Sequence, residues 1–144
     1  MFKKILVCSD GSDRAIKAAG VAAELAKSLN AALTMLSVCQ IPEVSEPFPG
    51  APTLSLPAVD RYVRDMHLAV VERTLPIIRN AGVPCDILGE VGDPVSVIAQ
   101  IAESRDFDLI VMGSRGLNTS QAARLGSVSY GVIERAHCPV LVVR

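Results

Sequence analysis

Short apolar runs rich in β-branched residues alternate along the chain with longer stretches in which apolar residues recur at helical spacing. Five runs predict strands, at residues 4–9, 32–38, 85–88, 109–112 and 140–143. The runs are continuously apolar rather than alternating, which is typical of strands that are buried on both faces. The pattern therefore predicts a parallel sheet with helices on both sides, the doubly wound α/β class.

Four helices are predicted in the gaps between these strands. The first is expected to end at Asn30, and the second to be distorted at Pro76. Asp93 can cap the third helix, and Pro94 suits its first position, where a missing N–H costs nothing. The fourth helix follows Gly126. The residues expected to face the core are Ile16, Ala19, Ala23 and Ala26 in the first helix, Val59, Val63, Met66, Val70 and Ile77 in the second, Val95, Ile98, Ile101 and Ala102 in the third, and Val128, Val132, Ile133 and Ala136 in the fourth.

One segment departs from this pattern. Residues 41–57 contain five prolines, at positions 42, 47, 49, 52 and 57, together with Gly50. Proline at that density opposes both a helix and a central strand, so the segment is predicted to be a long surface loop. It is too short to separate two domains, and we expect residues 1–144 to form a single domain.

Charge and composition exclude several classes of protein. Among the 144 residues, 14 Lys and Arg balance 15 Asp and Glu for a net charge of −1, which argues against binding to nucleic acids or anionic membranes. No apolar run approaches a signal peptide or a membrane span, which favours a cytoplasmic protein. The four cysteines form no C-x-x-C pair, so we expect buried, reduced thiols rather than a metal or redox site.

Candidate chemistry lies just after the strands, because ligands of open parallel sheets bind at the carboxyl ends of strands where the strand order switches. The first strand is followed by residues 9–12 (Ser-Asp-Gly-Ser) and the fourth by residues 113–116 (Gly-Ser-Arg-Gly), while the second ends near Val38 and Cys39. If the first and fourth strands are neighbours, the polar turn and the glycine turn face each other across one crevice.

The glycine turn and the helix after it suit a phosphate. Gly113 and Gly116 permit positive φ and let a ligand approach the backbone closely. Gly126 opens the last helix, whose N-terminal amides carry a partial positive charge. Further donors in this stretch are the hydroxyls of Ser127 and Ser129 and the guanidinium groups of Arg115 and Arg124.

Asp10 is expected to be the one carboxylate at this crevice, where it can accept from ribose hydroxyls or hold a divalent cation. The spacing leaves an alternative open, in which the glycines serve only as turn residues and Gly126 allows close helix packing. The chain contains neither the G-x-x-x-x-G-K-[ST] P-loop nor a G-x-G-x-x-G after the first strand.

The glycine spacing is Gly113-x2-Gly116-x9-Gly126-Ser127, after a strand that ends in Met112. It resembles the nucleotide-binding motif of the universal stress protein family. Residues 4–12, 92–94 and 138–143 are also similar to that family, so the resemblance covers the whole chain.

The resemblance implies a five-stranded parallel sheet of order 3-2-1-4-5, with Asp10 at the ribose and Val38 at the adenine of a bound ATP. We further expect Mg²⁺ to accompany the phosphates. Cys8 departs from the small residue or proline common at its position, and we expect it to pack near the base. The candidate nucleotide-binding residues are Cys8, Ser9, Asp10, Val38, Met112, Gly113, Arg115, Gly116, Gly126, Ser127, Val128 and Ser129.

No residue is predicted to be catalytic. His67 lies in the second predicted helix, away from the crevice, and His137 precedes the last strand at the opposite end of the sheet. No His or Lys stands at a sequence spacing that would indicate a catalytic pair with Ser12 or Ser127. We therefore expect a nucleotide-dependent regulator in stress response, with slow hydrolysis at most. Two alternatives stay open: an adenylating enzyme, since residues 9–13 faintly resemble the loop of the ATP pyrophosphatases, and a scaffold that binds no nucleotide.

The last strand predicts a homodimer. In the implied order it is an edge, and Val140, Leu141, Val142 and Val143 carry no charge or proline that would protect it. Since only Arg144 follows, no further segment is expected to cover this edge. Pairing with the same strand of a second copy is expected, as the resemblance also implies.

Overall fold

The computed structural model describes residues 1–41, 56–115 and 125–144. Strands and helices alternate strictly along these ranges. In chain order they are β1 (Lys4–Cys8), α1 (Asp13–Leu29), β2 (Ala32–Cys39), α2 (Leu56–Asn80), β3 (Cys85–Val91), α3 (Pro94–Ser104), β4 (Leu109–Gly113), α4 (Ser127–Arg135) and β5 (Val140–Val143).

The five strands form one parallel sheet of order β3-β2-β1-β4-β5. In the centre of the sheet, Val7 of β1 lies opposite Met35 of β2 and Val111 of β4. The predicted class and strand order are confirmed. The order reverses between β1 and β4, so the switch point lies where these two strands end.

Alternate residues of the central strand serve two separate cores. Ile5 and Val7 pack under α1 and α2, while Leu6 and Cys8 belong to the cluster under α3 and α4. Both clusters bury their strand residues almost completely, as expected for continuously apolar strands between two helical layers. The α1 side of the core is made of small residues, Ala15, Ala18, Ala19, Ala22, Ala23 and Ala26, which let that helix lie close to the sheet.

The predicted end of α1 and the predicted start of α3 are confirmed, and both depend on local hydrogen bonds. Ser12, which was not predicted as a cap, begins α1 by accepting from the N–H of Ala15 at 3.2 Å. Asn30 closes the same helix in the left-handed conformation, with φ 53°. Asp93 caps α3 by accepting from the N–H of Ser96 at 3.0 Å, and Pro94 takes the first helical position.

Two predicted boundaries are wrong by two residues or more. Strand β3 continues to Val91 rather than ending at residue 88, because its pairing with β2 runs on until Val91 lies opposite Cys39. Leu56 and Pro57 belong to α2 rather than to the surface loop, since proline is tolerated in the first turn of a helix. The rest of the predicted loop, residues 42–55, lies outside the described residues.

Periodicity overestimated how much of two helices is buried. Met66 on α2 is 40% exposed and Ile133 on α4 is 46% exposed, although both were expected to face the core. The fully buried positions of α2 begin only at Val70, and the helix continues past Pro76 to Asn80. In the described part of the chain, no helix is long and apolar enough to cross a membrane.

Candidate functional site

The turns after β1 and β4 lie side by side at the carboxyl edge of the sheet, because these strands are paired neighbours. The start of α4 joins them there, since the N–H of Gly126 donates to the carbonyl of Ser114 at 2.7 Å. The structure therefore brings together the polar turn, the first part of the glycine turn and the last helix. Gly116, which completes the predicted glycine turn, lies outside the described residues, as does Arg124.

The turn after β1 is held in shape by its own polar groups. The hydroxyl of Ser9 accepts from the N–H of Gly11 at 3.1 Å, and the carboxylate of Asp10 accepts from the N–H of Ser12 at 3.0 Å. Gly11 has φ +81°, a left-handed conformation that favours glycine. Asp10 is exposed, so this turn presents an oriented carboxylate at the crevice.

Ser9 is buried and its hydroxyl points into the fold. Besides Gly11, it contacts the hydroxyl of Thr74 on α2 at 2.7 Å. Its backbone N–H donates to the carbonyl of Leu36 at 3.0 Å, which continues the ladder between β1 and β2. The hydrogen bonds of Ser9 thus anchor the turn to β2 and α2.

Gly113 does not adopt the positive φ that glycine permits. Its requirement for glycine comes from packing, because a Cβ at this position would lie 2.9 Å from the backbone carbon of Arg14 on α1. The carbonyl of Gly113 accepts from the hydroxyl of Ser129 at 2.7 Å. Ser129 is buried, and this bond fastens the first turn of α4 to the end of β4.

Ser114 joins four elements and was not singled out from the sequence. It is fully buried, and its N–H donates to the carbonyl of Val143 at the end of β5 at 2.8 Å. Its hydroxyl accepts from the guanidinium of Arg14 on α1, and its carbonyl receives the N–H of Gly126. The sequence alone could have drawn attention to Arg14, because a positive charge in the first turn of a helix is unfavourable at the positive end of the helix dipole.

The start of α4 suits an anion. Gly126 stands at the N-cap with φ −69° and ψ 156°, and it has no side chain with which to cap the first-turn amides. Such N–H groups are satisfied by water or by a bound anion. Ser127 is exposed at this end of the helix, and Arg115 is half-buried with an Nε that has no partner among the described residues.

An apolar wall adjoins this polar edge. Cys8 and Met112 belong to the cluster under α3 and α4, and Val38 and Val128 pack half-buried against it. Burial raises the pKa of the Cys8 thiol to about 12, so this cysteine stays neutral. These residues can contact a flat aromatic base without offering it a charge.

In the described part of the chain, neither histidine hydrogen-bonds to the turn after β1, the turn after β4 or the start of α4. The Nδ1 of His67 is 3.0 Å from the hydroxyl of Ser37, between α2 and β2, and His137 is exposed between α4 and β5. Within residues 1–41, 56–115 and 125–144, no group of three or more His, Cys, Asp or Glu side chains could hold a metal ion. Of the predicted nucleotide-binding residues that the structure describes, Asp10 is the one with an acidic side chain.

Comparison with known proteins shows similarity over the full length. The sequence profile of the universal stress protein family matches residues 1–144. The universal stress protein YxiE of Bacillus subtilis is 34% identical over all of both chains, and one of Thermus aquaticus is 38% identical over all of both chains. A solved universal stress protein in complex with cAMP superposes with a TM-score of 0.75 and 25% identity, over 99% of this chain and 97% of its own.

Proposed function

The chain belongs to the universal stress protein family, and on that premise we propose that it binds an adenine nucleotide between the turns after β1 and β4. The solved relative in complex with cAMP supports this class of ligand. The observation that carries the proposal is the start of α4. Its uncapped first-turn amides are fixed beside the end of β4 by the 2.7 Å hydrogen bond from Gly126 to Ser114.

The phosphates and the nucleoside of such a ligand fit different parts of this site. The phosphates fit the α4 amides, the exposed Ser127 and the guanidinium of Arg115. The ribose fits Asp10, whose carboxylate accepts hydrogen bonds at the adjacent turn, and the base fits the apolar wall at Val38 and Met112.

Within this class we propose ATP with Mg²⁺ as the ligand. The first-turn amides of α4 and the guanidinium of Arg115 at one edge favour a chain of phosphates over a single one. Mg²⁺ is commonly held by one or two carboxylates together with substrate phosphates, and Asp10 offers a carboxylate at the crevice. When bound, Mg²⁺ would neutralise part of the negative charge of the phosphates.

We propose a regulatory role for the nucleotide, with hydrolysis slow at most. A rapid hydrolase needs a positioned base or acid near the reacting phosphate. His67 instead bonds to Ser37 on the α2 side of the sheet, and His137 lies beyond the far end of α4. Occupancy by ATP would then be the state that other proteins recognise.

A homodimer through β5 forms part of this proposal. The sheet has two edges, and β3 carries the charges of Asp86 and Glu90, which discourage pairing. Strand β5 carries no charge over Val140–Val143, and Leu141 remains 36% exposed. An uncharged edge that pairs with its own copy satisfies its free N–H and carbonyl groups around a two-fold axis.

Calorimetric titration of ATP into the wild type and Gly126→Val tests the site. The backbone at Gly126 has a conformation that any residue adopts, so valine suits the local backbone and places its methyl groups where phosphate must approach. Because Gly126 is buried, thermal unfolding of Gly126→Val is measured alongside, and a wild-type Tm shows that its fold is intact. We expect ATP binding by the wild type, none by Gly126→Val and weakened binding by Gly126→Ala. His137→Val, on an exposed residue beyond the helix, should bind like the wild type.

Three outcomes contradict the proposal in distinct ways. Unchanged binding in Gly126→Val moves the site elsewhere. A wild type that binds neither ATP, ADP, AMP nor cAMP favours a scaffold without a nucleotide. Release of pyrophosphate from ATP in the presence of a second substrate favours an adenylating enzyme.

A further inference from the structure

Arg14 stands where a cation is unfavourable. It lies in the first turn of α1, at the positive end of the helix dipole. Asp13 directly precedes Arg14, and its carboxylate lies 3.3 Å from the guanidinium of Arg73. In the described part of the chain, this carboxylate therefore pairs with Arg73 and not with Arg14. A half-buried cation kept in such a place needs a reason other than the stability of α1.

The side chain of Arg14 is fastened to the junction at the end of β4. Its Nη1 donates to the hydroxyl of Ser114, which is fully buried. The N–H and carbonyl of Ser114 are committed to Val143 and Gly126, at 2.8 and 2.7 Å. All three polar groups of Ser114 are thus hydrogen-bonded. Its N–H and carbonyl hold β5 and the start of α4, and its hydroxyl is held by Arg14.

This junction belongs to the phosphate half of the proposed site. Ser114 stands between Gly113 and Arg115, and its carbonyl sets the position of Gly126. The nucleoside half is built on other elements, with Asp10 after β1 and Val38 near the end of β2. A change confined to Arg14 and Ser114 acts on the phosphate half.

We propose that Arg14 is a positioning residue for the phosphates, acting through Ser114, and that it makes the protein favour nucleotides with several phosphates over the nucleoside. The inference rests on the proposed function. The hydrogen bond keeps the carbonyl of Ser114 under Gly126, so the first-turn amides of α4 stay directed at the ligand. The guanidinium charge adds a field that favours an anion at the same place.

The test compares ATP with adenosine in one set of calorimetric titrations. Loss of a hydrogen bond that involves a charged group should weaken ATP binding by about tenfold in Arg14→Met. Adenosine affinity should stay the same, because Asp10 and Val38 are untouched. Arg14→Lys, which keeps a charged donor, should recover most of the ATP affinity. Lys17→Met removes one exposed charge a turn further along α1 and should leave both affinities unchanged.

Ser114→Ala removes the same hydrogen bond from its other side but keeps the guanidinium charge, so it should weaken ATP binding by no more than Arg14→Met does and leave adenosine affinity unchanged. The double variant should be no weaker than Arg14→Met, because the hydrogen bond is already lost there. If Arg14→Met does not fold, the ratio of ATP to adenosine affinity in Ser114→Ala decides the matter.

An equal loss of ATP and adenosine affinity overturns the inference and indicates a structural role alone. An unchanged ATP affinity in Arg14→Met overturns it as well, while leaving the proposed function in place. A wild type that binds neither compound contradicts the proposed function and this inference with it.

Discussion

The hydroxyls of Ser9 and Thr74 lie 2.7 Å apart, both buried, and join the turn after β1 to helix α2. On the other side, the hydroxyl of Ser9 accepts from the N–H of Gly11 at 3.1 Å. A helix outside the proposed crevice thus holds the turn that presents Asp10.

Thr74→Val should loosen this turn while keeping the shape of the side chain. A buried hydroxyl left without its partner costs about 1–3 kcal/mol, so we expect a lower free energy of unfolding by that amount. Because the affected turn belongs to the nucleoside half of the site, ATP and adenosine should lose affinity by the same factor. Thermal unfolding and calorimetry measure the two effects, and Thr74→Ser should restore both. Full affinity for adenosine in a destabilised Thr74→Val would show that the turn keeps its shape without the helix.

Asp10→Ala tests the assignment of the ribose to Asp10. A hydrogen bond to a charged group contributes roughly 1.5–3 kcal/mol, so ATP affinity should fall by about 10–150-fold. The matched control is Asp13→Ala, which removes an exposed carboxylate three residues further on and breaks its pair with Arg73. That control should bind ATP normally. Unchanged affinity combined with lost turnover in Asp10→Ala would point to a catalytic carboxylate.

Leu141→Lys tests the homodimer. A lysine in the middle of β5 places a charge in the proposed strand pair, so the expected result is a monomer or a loss of soluble protein. Ile87→Lys is the matched control, because Ile87 is 44% exposed on β3, the opposite edge strand. Light scattering at micromolar concentration should show a dimer for the wild type and for this control. A monomeric wild type, with Leu141→Lys equally soluble, contradicts the prediction.

Asp93 should make stability depend on pH at the start of α3. The hydrogen bond from the N–H of Ser96 holds the pKa of this carboxyl below its usual value of 3.8. A lowered pKa in the folded state adds stability above the usual value, and this stability is lost as the pH falls through the folded-state pKa. Asp93→Ala should therefore have a lower Tm than the wild type at neutral pH, with a difference that narrows below pH 3.8.

Asp93→Asn supplies the control, because it keeps an acceptor for the cap and loses the titration. Its difference from the wild type should be small at neutral pH. A gap between the wild type and Asp93→Ala that stays constant into acid would show that the charge of Asp93 contributes nothing to the cap.

The sequence by itself determined the features that depend on near neighbours. The three inner strands, β1, β2 and β4, lie where the apolar runs are, since burial on both faces demands continuous apolar residues. The helix end at Asn30 and the cap at Asp93 were predicted, because their hydrogen bonds reach only a few residues along the chain. The resemblance supplied the strand order, which periodicity alone did not contain.

Only the tertiary structure decided contacts between distant segments. Ser9 and Thr74 are 65 positions apart, and Arg14 and Ser114 are 100 apart, so no local pattern links them. The same holds for Gly113, whose glycine is required by the backbone of α1 rather than by its own φ. Periodicity shows which side of a helix is apolar, but the reach of the sheet beneath it decides how much is buried. For that reason Met66 and Ile133 remain exposed on stripes that the sequence marked as core.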